Sequence, residues 1–301
     1  MFKLFKLTHR QRQNIFPYLL LLPALMAIFG VIFYPIIKAV IMSLQSYSLL
    51  ELDNVHFVGL KNYIKVVNDH VFWISLGNTL WYLFGSVGIE FIIGLITALL
   101  LNQKFKFRGF IRTIILIPWV LPSILTAFTW SWMLNGNYGL INDILARLGI
   151  ITKFIPWLAS EKTALPAVIL ATVWKGTPFF VIMLLAGLQA VPRDLYEAAS
   201  IDGASQWQKL IYIILPTIMP VIVTTTLLRV IWTANSVDII YLMTQGGPGN
   251  ETQVLSVYTY SKAQSTLNYG YTSAMAMFLT LFLLIFVIFY LKRVKKAGMT
   301  I

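Results

Sequence analysis

Residues 13–37 and 272–291 contain no charged side chain. A hydrocarbon layer is crossed by about 20 apolar residues, and within it every backbone N–H and C=O must find its partner inside the protein. Runs of this length and uniformity read as membrane-spanning helices. Four further runs have the same character: 71–101 with the single charge Glu90, 113–134 with Pro118 and Pro122, 165–188, and 210–237 with Arg229. The fourth of the six spans, 165–188, is expected to be interrupted at Lys175-Gly176 and Pro178. Pro23 and Pro35 in the first span are tolerable where neighbouring helices re-satisfy freed backbone groups. Composition agrees: 58% of 301 residues are hydrophobic and 11% charged, against about 45–50% and about 25% in soluble domains. The chain is expected to be an all-α integral membrane protein with six transmembrane helices.

Several chemistries are excluded or left without support. There is no cysteine, which removes disulfides, thiolate metal sites and thiol nucleophiles. His9, His56 and His70 are scattered through tails and loops, so no metal site is argued from them. The net charge of +12 is assigned to basic loops facing anionic lipid and the cytoplasm rather than to nucleic acid.

The side on which Lys and Arg fall gives orientation. The amino-terminal tail MFKLFKLTHRQR and the loops at 102–112 and 191–209, with the carboxyl tail, hold fourteen; the segments 46–70, 135–163 and 238–268 hold six. Both termini and the 191–209 loop are therefore expected in the cytoplasm. The first apolar run is too long for a signal-peptide core and is read as a retained anchor. The organisation expected is a basic tail, first helix and first external loop in 1–70, a five-helix core in 71–291 with a polar segment at 192–210, and a basic tail at 292–301.

That polar segment, PRDLYEAASIDGASQWQKLIYIILPTIMP from Pro192 to Pro220, breaks the apolar pattern. Pro192 suits the first helical position, and Asp194 and Glu197 suit the positive end of a helix. Leu195, Ala198, Ala199 and Ile201 form one small apolar face. Asp202-Gly203 ends the helix, and Ser205 can cap a second one containing Trp207 and Lys209.

Glu197-Ala198-Ala199, Gly203 three residues after Ser200, and Ile214-Leu215-Pro216 resemble the EAA signature of ABC importer permeases. The likeness covers nearly the whole chain and narrows to the carbohydrate-uptake branch, similar to maltose and glycerol-3-phosphate permeases. FVGLKNYIKV (57–66), NTLWY (78–82), FRGFIRTIILIPWVLP (107–122), WKGTPFF (174–180) and LMTQGGPGNETQVLSVYTY (242–260) carry it. Amino-acid and metal-ion permeases are not expected to show this set.

The resemblance implies a type I ABC importer permease fold in a bacterial or archaeal cell (inner) membrane. The implied partners are a second permease subunit, expected to be a different chain, two ABC ATPase subunits and an extracytoplasmic solute-binding protein, with membrane lipid and no nucleic acid. No G-x-x-x-x-G-K-[ST] loop occurs in the chain, so it is no ATPase, and no cofactor is expected in it: ATP and Mg belong to the partner. Glu197, Ala198, Ala199, Asp202 and Gly203 are implied to couple to the ATPase, with Glu197 pairing a basic residue of its cleft. Offsets from the EAA and GGP anchors imply a solute lining of Lys175, Gly176, Phe179, Arg229, Trp232, Thr233 and Ser236. The GGPG run at 246–249 reads as a turn and a candidate surface for the binding protein.

Charges inside spans mark a pathway or a buried pair. Lys38, near a span end, is read as a snorkelling anchor. Glu90 has three readings: a pair with Lys175, a pair with Arg229, or a role in transport. If both cations meet solute, an anionic sugar such as glycerol-3-phosphate or a uronate oligosaccharide is favoured over a neutral one, since guanidinium matches phosphate and carboxylate. A secondary transporter is disfavoured because matching broken helices in two inverted halves are not evident. An intramembrane enzyme is disfavoured because no Cys or His lies in a span.

Overall fold

The computed structural model describes residues 20–296. They are helical apart from connections and one short strand pair, and they fall into two units, Met1–Val66 with Thr266–Met277 and Val67–Ser265 with Phe278–Ile301. The expected beginning of the first span, residues 13–19, and both extreme tails lie outside the described residues.

In the first unit, helix α1 (Leu20–Ser43) is long and apolar enough to cross a membrane, and Leu20 to Lys38 are exposed throughout. Two antiparallel strands, β1 (Gln45–Ser46) and β2 (His56–Phe57), and helix α2 (Lys61–Val67) occupy what reads from sequence as a loop. Buried Asn62 organises it, donating to the carbonyls of Ser43 at 2.9 Å and Gln45 at 2.8 Å.

The second unit is built on two long helices packed along each other, α3 (His70–Asn102) and α7 (Ala164–Ala190). Between apolar side chains and lipid tails there is no hydrophobic drive to associate, so contact depends on close packing. Small residues supply it: Gly94 lies against Phe180, and Ala167 and Ala171 are buried in the core. Helix α7 runs unbroken through Lys175-Gly176 and Pro178, correcting the expected interruption. Thr177 Oγ1 donates to the Val173 carbonyl at 2.7 Å, next to the Trp174 carbonyl that Pro178 cannot serve.

Two expected spans are broken instead. Residues 113–134 are not one helix but α4 (Arg108–Val120) and α5 (Ser123–Met133), which turn by 93° at Leu121-Pro122. A proline denies its predecessor the helical region, and the turn follows. Helix α6 (Leu140–Arg147) then lies in the expected 135–163 loop. After α7 come α8 (Arg193–Ile201), α9 (Gln206–Thr217) and α10 (Met219–Asn235). The fifth span bends by 68° between α9 and α10, at Ile218 between Pro216 and Pro220. Counting each bent pair once gives six spans.

The expected 238–268 loop is largely helix as well: α11 (Asp238–Thr244) and α12 (Leu255–Thr266). Ile239, Ile240, Met243, Val254 and Val257 join Tyr82, Ala127 and Trp130 in one buried cluster. Helix α13 (Tyr269–Lys296) is the last element of the described residues. Gly246 to Gly249 do form a turn, with Gly247–Pro248 cis, and Asn78 on α3 fastens it by donating to the Asn250 carbonyl at 2.8 Å.

Candidate functional site

The polar segment folds as two short helices joined by a rigid turn. Pro192 sits one place earlier than expected, as the residue flanking α8. The amides of Gly203 and Ala204 bond back to the carbonyls of Ser200 and Ala199 at 3.2 and 2.9 Å, the paired pattern that closes a helix with a left-handed residue. Gly203, at φ 74°, is the residue type for that position. Ser205 and Gln208 then form a reciprocal capping box at the start of α9. Lys209 Nζ donates to Ser200 Oγ at 2.7 Å, and Ser200 Oγ donates to the Tyr196 carbonyl, also at 2.7 Å. This link locks α9 onto α8 and had no pattern in sequence to announce it.

Glu197, Ala198, Asp202 and Gly203 are exposed and Ala199 is buried. No ion pair engages Glu197 among the described residues. Beside them Ile201 is 86% exposed and Trp207 68%. An apolar surface with a free carboxylate on a fixed scaffold is what a docking element presents.

The second place lies inside the spans. On α7, Phe179 lies one turn after Lys175 and Gly176, and Arg229, Trp232, Thr233 and Ser236 recur at i, i+3, i+4 and i+7 at the end of α10. Six of these seven line one cavity of about 170 Å³; Phe179 does not, although its ring packs on two lining residues, Trp232 at 5.0 Å and Trp119 at 6.1 Å. Helix α10 stops at Asn235, with Ser236 in extended conformation, so the cavity sits beside interrupted backbone. Irregular backbone at membrane depth is tolerated where it is enclosed by protein or lines such a cavity.

The charges have separate fates. Arg229 grips Glu90 with two parallel bonds, Nε to Oε2 at 2.8 Å and Nη2 to Oε1 at 2.5 Å. Glu90 has a side-chain exposure of 0% and Arg229 of 12%. Gly176 makes room for the pair, since a Cβ there would sit 2.5 Å from Glu90 Cδ. Of the readings open for Glu90, the structure shows the pair with Arg229. Lys175 instead donates to the Leu121 carbonyl, freed where α4 gives way to α5, and makes no ion pair among the described residues. Thr233 Oγ1 is buried without a hydrogen-bond partner.

Sequence reasoning missed Tyr82, Trp119, Ser123, Thr172 and Ile239 in the lining. Thr172 was accessible to it, one turn before Gly176 on the same face. Ser123 and Ile239 were not, because each follows a helix break that a hydropathy profile smooths over.

Residues 90–296 match the family model described as binding-protein-dependent transport system inner membrane component. The chain belongs to this family. The permease is 42% identical over 275 residues to the trehalose/maltose transport system permease protein MalF of Thermococcus litoralis, covering 91% of this chain and 92% of that one. It is 38% identical over 258 residues to the sulfoquinovosyl glycerol transport system permease protein SmoG of Agrobacterium fabrum, covering 86% and 83%. Its fold is similar to a chain of a bacterial alginate ABC transporter crystallised with an alginate pentasaccharide-bound periplasmic protein. The TM-score is 0.82, with 22% identity over 97% of this chain and 99% of that one. The permease is thus a multi-pass membrane component of an ABC importer with the type I fold.

Proposed function

We propose that this permease is the pore-forming subunit of an ATP-driven, binding-protein-dependent importer of sugars. The observation that carries the reading is the cavity at the end of α10. It joins the broad face of Trp232 to the hydroxyl of Ser236 and the buried, unpartnered hydroxyl of Thr233. An aromatic plane covers the apolar face of a pyranose, and hydroxyls bond its rim. The sugar solutes named for the two relatives support the class. At about 170 Å³ the cavity is below the roughly 300–1,000 Å³ of complete ligand pockets, which suits a wall completed by a second permease subunit; that subunit is proposed to be a different chain.

The rest of the machine follows from the coupling segment. Two ATPase subunits bind ATP and Mg, and this chain binds neither. ATP binding closes them, draws the coupling helices together and turns the pore outward. Glu197, Ala198, Ala199, Asp202 and Gly203 form the docking element, with both termini on the same cytoplasmic side. The solute-binding protein meets the opposite face, where the 246–249 turn lies. ATP hydrolysis belongs to the partner. Glu197→Ala keeps the complex assembled and lowers solute-stimulated hydrolysis at least tenfold, from the roughly 2–5 kcal/mol of a desolvated pair truncated on one side; undiminished hydrolysis refutes the docking role.

One observation favours an anionic sugar within this class: Glu90 neutralises Arg229 through a direct pair, whereas Lys175 makes no ion pair among the described residues and feels the Asp238 carboxylate only at longer range, leaving the lining with one cation that no carboxylate contacts. Thermal-shift measurement of the solute-binding protein with matched neutral and anionic sugars, followed by uptake with Lys175→Gln, tests it. An anionic ligand whose uptake fails in the variant supports the reading. A neutral ligand carried equally well by both returns Lys175 to a structural role.

A further inference from the structure

Behind the coupling segment lies a second polar cavity, of about 720 Å³, that the transport reading leaves unexplained. Lys104, Arg108, Arg112 and Arg193 line it, with Tyr196 and the single carboxylate Glu197. None of the four cations makes an ion pair among the described residues. The carboxyl end of α3 at Asn102 contributes part of the wall, but a helix end offsets only about half an elementary charge. Three positive charges in excess therefore converge on one cavity, with no further carboxylate of the described residues lining it.

Two further groups point to the occupant. Arg112 donates through Nη2 to the Leu101 carbonyl at 3.1 Å, which anchors the guanidinium, while its Nε is buried without a partner. Tyr196 Oη is likewise buried and unpartnered. Both are donors in a cavity already rich in donors, and an orphaned buried donor costs about 1–3 kcal/mol. Burial pushes the Tyr196 phenol above its ordinary range, so it stays a donor. At the rim, helix α4 opens at Arg108 with no side-chain cap. Phe107, held at φ 66°, is 69% exposed and Phe110 68%.

We propose that this cavity binds a phosphate group, presented by the headgroup of an anionic lipid or by free phosphate. Forked guanidinium groups match phosphate oxygens bidentately, and basic pockets at the cytoplasmic ends of spans suit lipid headgroups. The exposed Phe107 and Phe110 give a lipid's acyl chains an apolar surface beside the cations. The site rests on the proposed cytoplasmic placement of this face. It couples the basic loop before α4 to Tyr196 and Glu197 on the docking helix, so its occupancy bears on the position of that helix.

The test is native mass spectrometry of the full-length chain copurified with its partner subunits, in phosphatidylglycerol or phosphatidylcholine, for wild type and Lys104→Gln/Arg108→Gln. Retention of phosphatidylglycerol is expected to weaken about thirtyfold in the variant, at about one factor of five per basic residue. Lys292→Gln/Arg293→Gln, outside the cavity, should retain it. Tyr196→Phe preserves shape and removes one donor, so it reports on the cavity if the double variant fails to fold.

Lipid retention that inorganic phosphate does not displace assigns the headgroup. Thermal stabilisation by inorganic phosphate in phosphatidylcholine, lost in the variant, assigns free phosphate. Equal retention in wild type and variant, with no response to phosphate, overturns the site. So does loss of the ATPase from the variant with lipid retention intact, which would make the cavity part of the subunit interface. Because these readouts need no transport, failure of the importer reading leaves them interpretable.

Discussion

Glu90→Gln is the most informative single perturbation of this permease. The substitution keeps the shape of the side chain and removes its charge, leaving Arg229 facing a neutral amide in a site where Glu90 is fully buried. Two contrasting magnitudes apply. Truncating one partner of a buried ion pair costs about 3–5 kcal/mol, because the other charge is left uncompensated. Hydrogen bonds between membrane helices average only about 0.6 kcal/mol, because the unfolded-in-membrane state finds partners too. The geometry selects the first: two parallel bonds at 2.8 and 2.5 Å, a guanidinium 12% exposed, and Gly176 closing one side.

Equilibrium unfolding in mixed detergent micelles is expected to show a loss of about 3–5 kcal/mol for Glu90→Gln. The double variant Glu90→Gln/Arg229→Gln should recover at least about 1–2 kcal/mol of that, as coupled neighbours do. A single-variant loss below about 1 kcal/mol, or strict additivity in the double variant, would refute the reasoning. Arg229 would then be a water-accessible cation, free to meet solute.

Gly176→Ala forces the pair apart and is expected to cost about 1–3 kcal/mol by overpacking, with uptake falling in parallel; unchanged unfolding would show that the helices yield instead. Asn142, fully buried, donates to the carbonyls of Asn135 and Ile155 and accepts from the Ile155 amide and Trp157 Nε1. Asn142→Ala orphans these groups at about 1–3 kcal/mol, and limited proteolysis should cut residues 135–163 faster than in wild type. Ser205→Ala removes the capping box and about 1 kcal/mol of local stability, read as about fivefold faster hydrogen exchange at the start of α9; unchanged exchange would place the rigidity in the Lys209–Ser200 bond alone.

Apolar run length and the absence of charge within runs determined that this chain is a helical membrane protein, with six spans when each bent pair is counted once. Those signals are local, because lipid imposes internal hydrogen bonding on every crossing segment. The turn in the polar segment at 192–210 was equally legible: Gly203 and Ser205 each specify backbone geometry within a few residues. Tertiary structure alone decided the rest. The partner of Glu90 is Arg229, 139 residues away, and no local pattern distinguishes it from Lys175. The family resemblance, through offsets from the EAA and GGP anchors, implied a lining of Lys175 and Gly176 from one span and Arg229, Trp232, Thr233 and Ser236 from the next. That these residues meet depends on α10 packing against α7. Likewise, hydropathy averages over the turn at Leu121-Pro122 and over the buried helices of 238–268, because it measures what a segment prefers to touch and carries nothing about its direction. The cavity exists where those unreadable breaks come together.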